Sequence, residues 1–553
     1  MFTWPLALRP LQLPSHPHGE SDNHLWMLWR AWRQLTGAGP LANVPEGLPI
    51  PLMDPINLPL AAPGLLVDPA LGYNLALIGN LALAFVGAWL LARALGAGRG
   101  GALVAGVGCM CSPFLSGVVS FGITESWAVG WLGLHAAALL QWSRTRRRWQ
   151  LAASALALAA FALSGWYHAA FGLVAEVGLA LWAWRRGGPL WGVLLQGAVA
   201  AALVTPRLLG FLAVREFWGD RWRGVSAAPP AFREGWRETP VAGTDLLNLL
   251  LPALESVPIS KSVYLGGVLL GLALAAGRRA WPLLATAGAL WALSLGHWIS
   301  IAGHTELLGR AWPGPAGLLT RWIPALEGLS HWHRAAGPAT VLLAAAAGLG
   351  ADRLLRRLPT SRVTPAACAL AAAVLVDALA ASQTPWPRTT YDPRPPPAVA
   401  AAFDAIASEG GEGGVAQLPF DNGRGPMDVG VVPRIYNRWQ PWLDRPVTEN
   451  YEGPDAALTA SRLLSAADAL CGVPYAGPKA WRPPERLRDP AALESEAARR
   501  RAVEQLAGWG LRWVVLHRER GPTTDAAAAL LTRALGEPTH DRGGVAVFAI
   551  PNL

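Results

Sequence analysis

Glu20-Ser21-Asp22-Asn23-His24 places two carboxylates and an imidazole within about one helical turn, just ahead of a tryptophan-rich stretch. A carboxylate partly withdrawn from water has a raised pKa, so Glu20 or Asp22 can act as a general base on an acceptor hydroxyl. The same segment suits a helix N-cap formed by Ser21 or Asp22, and spacing alone favours the cap over the base. Asp54 and Asn57, in a later Pro-rich stretch, offer a weaker form of the same chemistry. A second motif, His331-Trp332-His333-Arg334, stands immediately before an apolar segment. Two imidazoles and a guanidinium there can hold a phosphate or diphosphate through charge-assisted hydrogen bonds. The structural alternative is a set of side chains snorkelling at a membrane surface, and no partner spacing supports a metal site.

Further ionisable groups are scattered. Glu125 lies in SFGITESW and His168 in the turn SGWYH. His135 and Glu176 fall inside apolar segments, Arg207 follows Pro206, and His297 and His304 lie further on. Each reads singly as a bundle residue satisfied by its neighbours. Together they suggest an outward-facing polar cavity, not a line of charges crossing a membrane.

The elements that must position these residues follow from composition. Of 553 residues, 52% are apolar and 15% charged, against roughly 25% charged in a soluble domain. A stretch of about 20 apolar residues spans a ~30 Å hydrocarbon core. Ten such stretches lie near 71–95, 101–120, 125–142, 149–165, 167–184, 189–213, 262–277, 281–299, 335–352 and 364–381. The break between the fourth and fifth is the turn Ser164-Gly165-Trp166-Tyr167-His168.

Arginine then orients them. Alternate short connections carry Arg93 and Arg99; Arg144, Arg146, Arg147 and Arg148; Arg185 and Arg186; Arg278 and Arg279; and Arg353, Arg356, Arg357 and Arg362. The intervening connections, 10–70, 120–125, 164–168, 214–261 and 300–334, are long or arginine-poor. Positively charged loops stay in the cytoplasm, so the second set and everything after about residue 385 fall outside. A net charge of +9 distributed this way serves topology, and nucleic acid is not an expected partner. Cys109, Cys111, Cys368 and Cys471 form neither a disulfide framework nor a metal spacing.

The apolar start MFTWPLAL is too short to span and reads as the outer end of a truncated first helix. Residues 22–36 carry Leu25, Leu28, Trp29, Trp32 and Leu35 at helical spacing. This predicts an amphipathic helix, in the outer interface or against the bundle. Repeated prolines across 40–70 predict irregular chain. Beyond the Pro-rich linker Thr384 to Pro397, strands are expected at Val415–Leu418, Leu511–His517 and Val545–Ile550. Helices are expected at Ala497–Trp509 and Thr524–Leu535. That order predicts a soluble α/β or α+β domain over 385–553, without a Gly-rich phosphate loop or nucleophile elbow. The expected fold is an α-helical polytopic membrane bundle over 1–384, with outer loop 10–70 and about ten complete spans after the truncated first helix.

This layout resembles the bacterial GT-C-type polytopic membrane glycosyltransferases and their uncharacterised relatives. The matching features are the acidic motif Glu20/Asp22, the Trp-rich helix and Pro45-Glu46-Gly47 with Asp54-Pro55-Ile56-Asn57. Gly72-Tyr73-Asn74, the His331–Arg334 motif and a tail with Val415–Pro419 and Leu511–His517 complete it. The resemblance implies a sugar donor on a polyprenyl phosphate and a cell-envelope acceptor. It implies an acid in the first outer loop that assists acceptor deprotonation, sometimes with a divalent metal ion, and direct inverting displacement. Asp22 is the favoured match for that acid, with Glu20 beside it. His331, His333 and Arg334 are expected at the donor phosphate, with His168 and Glu125 nearby. The expected location is the inner (cytoplasmic) membrane, among lipid. Two other readings remain: a non-catalytic envelope protein whose bundle anchors the tail to a complex, and a lipid or polysaccharide transporter, for which no repeat between halves is visible.

Overall fold

Helices occupy all ten apolar stretches in the computed structural model of the protein. It describes residues 4–14, 20–37, 54–185, 187–225, 243–251, 263–307, 309–323, 326, 329, 331–381, 386–420, 435–448, 460–473 and 484–551. The chain divides into two compact units. One holds residues 1–16 and 51–390, and the other residues 17–50 and 391–553.

The first unit is helical, and its helix ends follow local chemistry. Asp68 Oδ1 accepts from the Ala70 amide at 2.8 Å, Pro69 opens the helix Pro69–Leu95, and Gly96 closes it at φ 100°. Pro at the first position loses no hydrogen bond, and glycine takes the left-handed terminal conformation without a Cβ clash. Pro69–Leu95 meets Gly130–Thr145 through small residues: a Cβ at Gly133 would lie 2.5 Å from the Gly87 carbonyl carbon. Backbone contact of this kind suits a membrane bundle, where packing rather than hydrophobicity drives helix association. The segment Trp332–Leu355 is central, with 89% of its most apolar window buried, whereas Leu190–Gly210 and Thr360–Ala380 are 17% and 22% buried and face outward. Apolar side chains such as Leu194, Leu209 and Val376 are exposed there, as expected for lipid-facing surface. This is an integral membrane protein.

Span lengths depart from the sequence reading. Among the described residues, five helices are long and apolar enough to cross a membrane: Pro69–Leu95, Arg99–Phe121, Leu190–Gly210, Trp332–Leu355 and Thr360–Ala380. A sixth is possible if Gly267–Ala275 and Gly277–Ser294, bent by 106°, count as one. The nine residues of Gly267–Ala275 rise only about 14 Å. Gly266 and Gly277, at φ 85° and 64°, bound this short helix. The Pro-rich stretch is also less irregular than expected. Leu58–Leu65 is helical: Pro59 falls in its first turn, where no amide donor is needed, and Pro63 is carried inside it at the loss of one helix hydrogen bond. Leu6–Leu8 form one 3₁₀ turn, where the sequence suggested the end of an α-helix.

The second unit contains a four-stranded sheet: β1 (Gly414–Leu418), β2 (Leu511–His517), β3 (His540–Arg542) and β4 (Val545–Ala549). Their order is β1-β2-β4-β3, with β1 and β2 parallel and the other pairs antiparallel. Alternation along β2 sends Val514 and Leu516 to one core with Leu464, Leu506, Leu530 and Phe548. Trp513 and Val515 face the other, with Phe403, Ile406, Tyr436 and Trp439. Burial on both faces explains why β2 reads as a nearly continuous apolar run. Helices Glu496–Gly508 and Thr524–Leu535 lie as expected; Pro397–Glu409, Ile435–Leu443 and Arg462–Leu470 are additional.

The helix Ser21–Leu35 belongs to this second unit and packs on Ile435–Leu443. Trp26 Nε1 donates to Gln440 Oε1 at 2.5 Å, and Arg33 Nε lies 3.1 Å from Asp444 Oδ1. The amphipathic pattern was legible; its partner, a helix more than 400 residues later, was not.

Candidate functional site

The His-Trp-His-Arg motif forms a 3₁₀ turn, Trp332–Ala335, that runs directly into Ala336–Leu355. His333 and Arg334 are thereby held at the mouth of the central helix, and both are buried. The turn at Thr124–Ser126 supplies the opposite wall. It is fixed by Tyr73, whose hydroxyl donates to the Gly122 carbonyl at 3.2 Å while its ring meets Trp127 edge-on at 5.1 Å. The third wall is the start of Trp166–Arg185, where extended Gly165 ends the preceding helix and aims Tyr167 inward.

These walls bring the separate sequence candidates together. Arg334 forms an ion pair with Glu125. Its guanidinium carbon lies 4.6 Å from the centre of the Tyr167 ring, a cation–π contact. The Tyr167 hydroxyl is 2.9 Å from His331 Nδ1, and the His331 and His333 rings are 5.7 Å apart. His168 is buried, stacked on Phe161 at 4.8 Å, with Nδ1 2.7 Å from Ser164 Oγ. Its Nε2 has no hydrogen-bond partner among the described residues. A buried ring nitrogen left this way is ready to receive a ligand group or water. Tyr167 escaped the sequence reading; its one signal was its place beside His168 in an outer turn.

Asp54 is closer to this chemistry than its loose spacing indicated. It is buried at φ 52°, accepts a hydrogen bond from Thr124, and acts electrostatically on both His168 and Arg207. Asn57 Nδ2 donates to the Thr124 carbonyl at 3.2 Å, and Asn80 Nδ2 to Asn57 Oδ1 at 2.7 Å. Arg207 stands 5.5 Å from the Trp166 ring. His135 and Glu176 are separate from this cluster. Their side chains meet at 2.6 Å, with Ser154 3.0 Å from His135 Nδ1 and 3.2 Å from Gln196, which donates to Glu176. That ring ties four helices and is a satisfied bundle network, as the sequence suggested.

Asp22 and Glu20 lie in the second unit. Asp22 is 7% exposed, accepts a hydrogen bond from the Tyr391 hydroxyl, and lies 3.4 Å from Arg438 Nε. Arg438 is itself oriented by the Pro393 and Asp392 carbonyls at 3.0 and 2.9 Å. Burial pushes the Asp22 carboxyl up, against the opposing effects of Arg438 and Tyr391. Glu20 Oε2 is 3.5 Å from His24 Nε2. The capping role weighed for Ser21 or Asp22 is not adopted. Glu20 is the N-cap residue without a side-chain cap bond, and Asp22 sits in the first turn. Among the described residues no group of three or more His, Cys, Asp or Glu is placed to hold a metal ion. Those described donors alone do not make up a site for the divalent ion that the resemblance implies.

A solved structure shares this architecture. No family model matches the chain and no curated protein matches it. Among solved structures, ArnT from Cupriavidus metallidurans, bound to undecaprenyl phosphate, superposes with a TM-score of 0.50 at 14% identity, covering 99% of this chain and 96% of that one. The fold is of the GT-C type. The arabinofuranosyltransferase AftD from Mycobacteria also matches, at 15% identity and a TM-score of 0.47, covering 99% of this chain. This chain spans about two fifths of that protein's length. The fold expected from layout and loose motifs is thus the fold of this chain, and the identities bear on fold alone.

Proposed function

We propose that the protein is a membrane glycosyltransferase that moves a sugar from a polyprenyl-phosphate donor to a cell-envelope acceptor on the outer face of a bacterial inner membrane. The observation that carries this reading is the convergence of Arg334, His331, His333, Tyr167 and Glu125 at one end of a GT-C-type bundle. ArnT, which shares the fold, is bound to undecaprenyl phosphate. The alternating arginines support placing the C-terminal unit outside.

In this mechanism the acceptor hydroxyl attacks the anomeric carbon as the bond to the phosphate oxygen breaks, inverting that centre. Charge grows on the leaving polyprenyl phosphate, where Arg334 and the two imidazoles stabilise it. The acceptor proton passes to a carboxylate. Asp22 is our first assignment, because burial raises its affinity for a proton. A second assignment, Asp54, is favoured by its electrostatic contact with His168 and Arg207 in the same unit as the phosphate cluster. Transfer from a labelled polyprenyl-phosphate sugar in membranes tests both. A general base replaced by its amide loses about 100- to 10,000-fold in rate. Asp22→Asn at full activity removes Asp22 from the chemistry, and Asp54→Asn at full activity removes Asp54.

A further inference from the structure

One short helix turns its apolar side outward. In Pro315–Trp322, Ala316 and Thr320 are buried, whereas Leu318 and Trp322 are exposed at 46% and 84%. Residues four apart share a helix face, so the inward face is small and the outward face is large and apolar. A surface helix in water has the reverse pattern, polar outward and apolar toward the core. Ile323 directly after the helix and Trp312 shortly before it, 47% and 44% exposed, enlarge the apolar set.

Backbone hydrogen bonds fix the depth of this segment. The Gly314 amide donates to the His297 carbonyl at 2.7 Å, the Ala316 amide to the Gly296 carbonyl at 3.2 Å, and the Ile299 amide to the Trp312 carbonyl at 3.0 Å. Glycine permits the approach: a Cβ at Gly314 would lie 2.3 Å from the Gly296 carbonyl oxygen, and one at Gly317 2.5 Å from that of His297. Gly296 and His297 follow the helix Trp281–Ser294, whose other end carries Arg278, Arg279 and the 65% exposed Trp281. Gly277–Ser294 rises about 27 Å, close to the ~30 Å of a hydrocarbon core. His297 also meets Trp332 edge-on at 5.8 Å. Trp332 opens the central helix, and Arg353, Arg356 and Arg357 stand at its far end. Two helices therefore set the Leu318–Trp322 face one hydrocarbon thickness from the arginine-rich end of the bundle, the depth at which tryptophan gathers.

The charge beside this face is basic. Arg321 on the helix and Arg310 in the hairpin Glu306–Leu307 with Arg310–Ala311 are both exposed, and neither forms an ion pair among the described residues. Glu306 is the one acid in the described part of 297–323. Arginine at this end runs against the topology bias, and next to an interfacial apolar face it meets lipid phosphate.

We propose that Arg310–Ile323 is a membrane-surface anchor for anionic phospholipid at the arginine-poor end of the bundle. Leu318, Trp322 and Ile323 enter the boundary between headgroups and acyl chains, and Arg310 and Arg321 bind the phosphates. The inference does not depend on the transfer reaction.

The test uses the full-length chain with Trp322→Cys, and with Cys368→Ser to remove the exposed native thiol. Position 322 is exposed, so the substitution leaves the packing intact. An environment-sensitive fluorophore is attached there, and the protein is placed in nanodiscs of phosphatidylglycerol and phosphatidylcholine. Lipid spin-labelled just below the headgroup should quench it most, lipid labelled near the bilayer centre less, and a water-soluble quencher least. Headgroup-proximal quenching should be stronger from phosphatidylglycerol than from phosphatidylcholine. Arg310→Gln and Arg321→Gln should each lower that relative affinity about fivefold, the usual weight of one basic residue at an anionic surface. A fluorophore quenched best from water overturns the proposal. So does one shielded from every quencher by a second copy of the chain, or a lipid preference that neither arginine variant changes.

Discussion

Replacing Arg334 by glutamine removes a guanidinium that joins three parts of the candidate site. Its side chain is 7% exposed and pairs with Glu125, itself 16% exposed, and it lies over Tyr167 at 4.6 Å. Removing one partner of a buried ion pair costs about 3–5 kcal/mol. Glu125 is open enough to recover some hydration, so the cost should fall at the low end. Binding is affected separately. A hydrogen bond to a charged group contributes about 1.5–3 kcal/mol, which converts to a loss of roughly 10- to 150-fold in kcat/KM at 1.36 kcal/mol per decade. Arg334→Lys, which keeps the charge but not the planar fork, should fall between. The assay is sugar transfer in proteoliposomes across donor concentrations, with a melting curve of each variant in detergent. The reasoning is refuted if Arg334→Gln remains folded and transfers with unchanged kcat/KM.

Three further outcomes follow from the same geometry. If Asp22 is the base, activity should rise with pH through a carboxyl titration above the ordinary value of 3.8, and Asp22→Asn should abolish that limb. The linked stability has the opposite slope: a carboxyl whose folded pKa is raised favours folding at acid pH and loses that contribution as pH rises through the folded value. Melting temperature against pH in wild type and Asp22→Asn measures it. In the His135–Glu176 ring, Glu176→Leu leaves a buried imidazole without its 2.6 Å partner and should cost about 1–3 kcal/mol; Glu176→Gln keeps a hydrogen bond and should cost less, as thermal melts in detergent will show. His517 is buried against Tyr436 at 4.8 Å, and burial, then Arg520, hold its pKa near 3. Because the unfolded chain takes up that proton first, stability should fall as pH drops below about 6.5. His517→Phe should remove that dependence in an acid melting series.

Local rules made much of the fold legible. The run Leu511–His517 reads as a strand, and it is one, buried on both faces. Asp68-Pro69 and Gly96 mark the ends of a helix by chemistry readable from sequence. Membrane length was harder to read, because Gly266 and Gly277 break an apolar run into short helices. Hydropathy sums over such a break without registering it. The site was legible by parts. His331–Arg334 was visible as a motif, but its pairing with Glu125 joins residues 209 apart, and no local pattern encodes such a contact. Asp54 looked minor because its importance lies in what the fold places around it. Asp22 looked catalytic, and the contacts that hold it, Tyr391 and Arg438, come from the far end of the chain.

The central claim is that the Arg334 cluster receives the phosphate of a polyprenyl-linked sugar. Cryo-electron microscopy of the chain in nanodiscs loaded with polyprenyl phosphate tests it directly. The account predicts phosphate density within hydrogen-bond reach, about 3 Å, of Arg334 and of His331 or His333. A cluster still closed by the Arg334–Glu125 pair, with the lipid phosphate bound elsewhere, would contradict it.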